Sequence, residues 1–105
     1  MGSEKIHLSE QRTIYLVKPE EIVFCQSDDC YTNVYLVKDK KILIVKSLTK
    51  FQKELCPKEF IRVSQSYLVN RHYIKSIDKK KRLLALETNH IIPFTISLKS
   101  LLSIV

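Results

Sequence analysis

Three cysteines and three histidines have the widest chemical repertoire in this chain. Cys25, Cys30 and Cys56, with His7, His72 and His90, supply metal ligands and one class of nucleophile. Their spacing serves neither use. A structural zinc site draws on close pairs of ligands. Here Cys25 and Cys30 have no second close pair, and the histidines are scattered. No flanking motif marks a Cys-His pair as a nucleophile and its base. We therefore expect no catalytic residue, no metal, no cofactor and no enzyme activity. The odd cysteine count also opposes a disulfide framework and fits a reducing cytoplasm. Cys25 and Cys56 are expected as small core residues, and Cys30, beside Asp29, as an exposed one.

The second chemical resource is charge. Eighteen Lys and Arg stand against eleven Asp and Glu, a net +7 on 105 residues. Such a balance suits a polyanion, whether DNA, RNA or an anionic membrane; plain solubility is the bland alternative. The densest run, Lys79-Lys80-Lys81-Arg82, lies between β-prone segments and reads as a solvated hairpin tip that adds to the general field. No apolar run reaches the ~18 residues of a membrane span, and the first residues lack the apolar segment of a signal peptide. A cytoplasmic location without a membrane partner is the expectation. Residues 1–3, with Gly2-Ser3, are read either as an expression remnant or as native chain.

The elements that must hold these groups are short and mostly extended. Only one glycine occurs, at position 2, so turns fall to Asp, Asn, Lys, Ser and Pro. Thr13–Val17 and Ile22–Gln26 read as strands, separated at Lys18-Pro19. Ser27-Asp28-Asp29 reads as a loop. Tyr31–Val37 and Lys41–Lys46 flank a tight hairpin at Lys38-Asp39-Lys40. The second of these strands is apolar on both faces, which predicts a central position. Leu48, Phe51 and Leu55 recur at helical spacing behind a Ser47 cap, with Pro57 as the stop. Phe60–Val63, Tyr67–Val69, Ile74–Ile77, Leu83–Glu87 and Ile91–Phe94 continue the strand series. Leu98, Leu101, Leu102 and Val105 predict a terminal helix capped by Ser97. The expectation is a single mainly-β domain, residues 1–105, with one or two short helices.

Phe60, Arg62, Ser66, Val69, Asn70 and Ile74 match, in register, the pattern F-x-R-x-H-x-S-x-x-V-N-x-x-x-I of the LytTR family, which this chain resembles. Ile22-Val23-Phe24 with Tyr31, Ser47-Leu48 through Leu55, and Ile92-Pro93-Phe94-Thr95 resemble three further segments of that family. The resemblance covers Ile14 to Leu102, and agreement across several independent segments is far more specific than a lone motif. It implies an elongated fold of about ten short strands in small antiparallel sheets. It also implies sequence-specific binding of double-stranded DNA, with loops entering successive major grooves. The domain would be the C-terminal output part of a longer two-component transcription regulator, behind a receiver domain. It would bind promoter direct repeats as a dimer or in tandem.

The resemblance places base reading on three loops. Thr32 and Asn33 fall at the first, where Asn suits adenine and Thr the thymine methyl. The second is Ser64-Gln65-Ser66, with Gln65 as an adenine reader, Ser66 and Arg62 as phosphate contacts, and Ser64 standing where the family often has His. The third lies between Phe94 and Leu98. There this chain lacks the arginine that many members carry, which leaves Ser97 and Lys99 as the candidate contacts. Lys46 completes the expected DNA-binding set. Asn70 matches a family position, but a turn-satisfying structural role suits its amide better. Two other readings compete. One is a protein-interaction module using exposed strand edges. The other is single-stranded RNA binding, with Tyr31 and Tyr35 as stacking groups on one strand face.

Overall fold

Strand β1 (Ile6–Glu10) pairs antiparallel with β2 (Thr13–Val17) through a turn at Gln11. The computed structural model describes residues 4–105, so the expectation about residues 1–3 lies outside it. Beyond a 3-10 turn at Pro19–Glu21 come β3 (Ile22–Asp28), β4 (Tyr31–Leu36) and β5 (Lys40–Ile44), then helix α1 (Leu48–Gln52). Strands β6 (Phe60–Arg62) and β7 (Tyr67–Asn70) follow, and a 3-10 turn at Arg71–Tyr73 leads to β8 (Ile74–Asp78), β9 (Leu83–Leu86) and β10 (Ile91–Pro93). The last element is α2 (Leu98–Leu102). Ten strands thus form three antiparallel sheets among the described residues, of order β1-β2, β5-β4-β3-β7-β6 and β10-β9-β8. The extents, 43 × 32 × 24 Å, give an elongated body.

Alternation along the strands explains the layering. In β7, Leu68 enters one apolar cluster and Val69 the other, because successive side chains face opposite sides of a sheet. On one face of the central sheet, Cys25, Val34, Ile42 and Leu68 pack with Leu8 of β1 and with Leu48 and Phe51 of α1. On the other, Val23, Ile61 and Val69 pack with Leu84 and Leu86 of β9, Ile92 and Phe94, and Leu101 of α2. A sheet covered on both sides needs apolar residues on both faces, and the β3 run Ile22–Cys25 is buried throughout.

Both helices are capped as expected. The Ser47 hydroxyl accepts the Lys50 N–H at 3.2 Å, and that of Ser97 accepts the Ser100 N–H at 3.0 Å. Turns without glycine rely on left-handed residues: in the three-residue connection between the paired Leu36 and Lys40, Lys38 and Asp39 have φ of 65° and 59°. Asn70, 3% exposed, holds two elements together. Its amide donates to the Ile22 carbonyl at 2.9 Å, and its oxygen accepts the His72 N–H at 3.0 Å.

Three expectations need correction, and one strand was not expected. β5 is an edge strand, not a central one; Ile42 and Ile44 are buried, while Leu43 and Val45 face solvent at 37% and 77% exposure. The strand at Ile22 runs on to Asp28, so the expected loop shrinks to Asp29-Cys30, with Asp29 at φ 60°. Cys56 is exposed, since it follows the last core residue of the helical segment, Leu55. Strand β1 went unseen in the sequence, because Ile6 and Leu8 are too few apolar positions to signal it. Its partner β2 carries no charge and has Ile14 and Leu16 exposed at 61% and 55%. Arg12 and Lys18 flank it, and its far edge has no strand partner among the described residues.

Candidate nucleic-acid interface

A chain of backbone hydrogen bonds collects the expected loops at one end of the molecule. The Ser27 N–H, in the stem of the β3–β4 hairpin, donates to the Ser66 carbonyl at 2.9 Å. One residue before the second loop, the Val63 carbonyl accepts the N–H groups of Thr95 and Ile96 at 2.9 and 3.3 Å. The hairpin turn at Asp29-Cys30, the loop Ser64-Gln65-Ser66 and the segment Thr95–Ser97 are therefore neighbours. β-Ladders supply the rigidity behind them. The side chain of Gln26 accepts from the Tyr35 hydroxyl at 3.4 Å and donates to that of Tyr67 at 3.0 Å, which cross-links β4, β3 and β7.

The second loop is the most firmly held. Ser64 Oγ accepts the N–H groups of Ser66 and Tyr67, each at 3.2 Å. From beneath, the Arg62 guanidinium donates to the carbonyls of Ser64 and Gln65 at 2.8 and 2.7 Å, and to Gln52 Oε1 and Thr49 Oγ1 of α1 at 2.8 and 3.4 Å. Partial burial lowers its pKa from the ordinary arginine value. Arg62 was expected as a phosphate contact; its donors are instead spent on bracing the loop. Gln65 and Ser66 stay exposed above it, with no side-chain hydrogen bond among the described residues.

Thr32 also departs from expectation. It is fully buried, and its hydroxyl donates to the Lys46 carbonyl at 2.7 Å, so it cannot reach a base edge. Asn33, the next residue, lies half-buried in β4 opposite Gln26 of β3 and Leu43 of β5. Lys46 is half-buried and its ammonium is ion-paired with Glu54. In the third segment the Ser97 hydroxyl is occupied as the cap of α2 and also donates to Ser100 Oγ at 2.9 Å, whereas Lys99 is exposed.

Arg82 belongs to this end of the molecule and was missed as a member of a solvated tip. Its guanidinium lies 4.7 Å over the Phe94 ring and donates to the Ile96 carbonyl, while its own carbonyl accepts the Phe94 N–H at 3.1 Å. The hairpin register holds the signal: Leu83 pairs with Pro93, so the preceding residue must sit beside Phe94. The rest of the run behaves as expected. Lys79, Lys80 and Lys81 are exposed, and the N–H groups of Lys80 and Lys81 are capped by Asp78 Oδ1 at 3.1 and 2.9 Å. The stacking face expected of Tyr35 is already filled. Its ring lies parallel to Phe24 at 4.2 Å, with His90 edge-on at 5.8 Å. No cluster of His, Cys, Asp and Glu suited to a metal occurs among the described residues.

Comparison with known proteins bears on the family and the fold. A family model described as the LytTr DNA-binding domain matches residues 12–103. The chain is 33% identical over 76 residues to the sensory transduction protein LytT of Bacillus subtilis (strain 168). That match takes in 72% of this chain and 31% of LytT, so the chain spans about a third of the relative it matches. Among solved structures, a LytTr DNA-binding domain from Bacillus cereus superposes with a TM-score of 0.78. The superposition covers 96% of this chain and 94% of the other, at 24% identity, and it bears on the fold.

Proposed function

This chain belongs to the LytTr DNA-binding domain family, and from that premise we propose that it reads double-stranded DNA by sequence, through loops set in the major groove. It acts as the output part of a cytoplasmic two-component regulator, behind a receiver domain, and binds direct repeats in tandem or as a dimer. One observation carries the groove-reading part: an exposed Gln65, on a loop locked by Arg62, at the end of the molecule where three polar segments meet.

Gln65 presents an amide that pairs bidentately with adenine N6 and N7. Asn33 offers the same chemistry two residues inside the first hairpin. Ser66 and Lys99 hold phosphates beside them, and Arg82, its guanidinium aimed by Phe94 and Ile96, adds a fixed cation at the third segment. Lys46 joins once its pairing with Glu54 exchanges for a phosphate. Arg62 positions and does not read. Thr32 drops out, and Ser97 contributes through the helix it caps.

Selection of bound duplexes from a random library tests this reading, followed by mobility shifts at several salt concentrations. A consensus should emerge. With about six phosphates neutralised, log affinity should fall against log salt with a slope near −5. Binding without any sequence preference would overturn the groove-reading part. No binding even at low salt would favour the protein-interaction reading.

A further inference from the structure

The same strands that carry the second loop at one end frame a cavity at the other. β6 runs from Phe60 at the cavity to Arg62 under the loop, and β7 runs back from Tyr67 to Asn70. The cavity measures about 580 Å³, and no residue of the three DNA-side segments lines it. We propose that it binds a small amphiphilic cation, an aromatic body carrying a protonated amine.

The chemistry of the walls sets the ligand class. Pro19, Phe60 and the ring of Tyr73 give an apolar floor, with Phe60 only 3% exposed. The buried polar group in the wall, Asn70, has both ends of its amide satisfied within the protein and makes no demand on a ligand. The Tyr73 hydroxyl likewise already donates to the Glu20 carbonyl at 2.6 Å. What remains unanswered is negative charge. Glu20 and Glu59 line the cavity, and Glu21 follows Glu20 in the same 3-10 turn, in a chain whose net charge is +7. The Glu59 carboxylate uses one oxygen on His72, which also lines the cavity, and its other oxygen has no partner among the described residues. The phenol of Tyr73 registers the field: it is pushed above its ordinary value first by burial and then by the charges of Glu20 and Glu21. An anion is repelled here. A neutral ring gains only the floor. An ammonium held partly out of water by an attached ring gains a charge-assisted bond as well. The volume falls within the about 300–1,000 Å³ typical of small-molecule sites.

Cys56 lines the cavity and is exposed, Cys30 is exposed at the opposite end, and Cys25 is buried with its thiol pushed up by desolvation. The intact 105-residue chain therefore carries its own reporter and control. Alkylation by iodoacetamide, followed at each cysteine by peptide mass spectrometry and without DNA, should slow at Cys56 when tryptamine is present. At about ten times its dissociation constant the slowing should be about tenfold, with Cys30 unchanged. Indole-3-propionate, the same ring and spacer ending in a carboxylate, should protect less than about twofold under the same conditions. Replacing both acids, Glu20→Gln with Glu59→Gln, should weaken tryptamine about tenfold, which corresponds to about 1.4 kcal/mol. Equal protection by amine and acid, no protection by either, or equal slowing at Cys30 would each overturn the proposal. The two ligands are compared on the unaltered chain, so their difference decides the matter even if the double variant misfolds. Because DNA is absent, the outcome is separate from that of the DNA reading.

Discussion

Two polar interruptions of the β structure, Ser64-Gln65-Ser66 and Lys79-Lys80-Lys81, are built on different plans. The first is held by Ser64 Oγ from within and by the Arg62 fork from below, and it is bonded to the neighbouring hairpin. The second is held through Asp78 alone, whose Oδ1 accepts two N–H groups and whose carbonyl accepts the Arg82 N–H at 2.8 Å, and its three exposed ammonium groups have no partner among the described residues. A loop whose backbone is fixed on several sides presents a side chain in one place, which is what discrimination between base edges requires. A loose cluster of cations provides attraction without register. Polarity alone does not separate the two; bracing does.

The largest test of this contrast removes the brace. Arg62→Ala should lower affinity for the selected sequence about 100-fold, the ~3 kcal/mol carried by hydrogen bonds to a charged group. Scrambled DNA should lose far less, and Arg62→Lys should restore little, because an ammonium cannot reproduce a planar fork. Equal losses on both DNAs in a mobility-shift titration would return Arg62 to a phosphate role. Next in size is Gln65→Ala, expected to cost about 1–3 kcal/mol at one base pair and to relax choice only there. Random-pool selection with that variant would show it as a single degenerate position.

Replacing Lys79, Lys80 and Lys81 together by Gln should weaken selected and scrambled DNA alike and leave their ratio unchanged. The salt slope should shift by less than about one, since a contacted phosphate contributes about 0.9 each. A shift near three would make the tip a direct clamp. The smallest effect is expected from Thr32→Val. Loss of the bond to the Lys46 carbonyl should cost about 1 kcal/mol in denaturant unfolding, with sequence preference untouched.

These contrasts also mark how far the sequence could be read. Periodicity and capping residues located nine of the strands and both helices, since Ser47, Ser97 and the alternating apolar runs act through local geometry. The β1 strand and the edge position of β5 depend on which segments meet in space, and a doubly apolar run such as Lys41–Lys46 reads alike at a centre and at an edge. At the candidate site, the family resemblance through Phe60–Ile74 pointed to Gln65 and Ser66, which the structure leaves exposed. It could not tell that Arg62 points under its own loop, that the Thr32 hydroxyl turns inward to Lys46, or that Arg82 folds back on Phe94. Residue type predicts what a group can do; its partners decide which of those things it does.

The uncharged strand Thr13–Val17 sets a handling rule for the molecule. If two copies meet edge to edge in antiparallel register, Arg12 of one comes to lie against Lys18 of the other, and this repulsion is the guard on an otherwise sticky rim. In about 1 M salt the screening length contracts to about 3 Å. The electrolyte that strips the chain from a polyanion therefore also lowers the guard, and concentrated stocks should stay monodisperse in dilute buffer and thicken in brine.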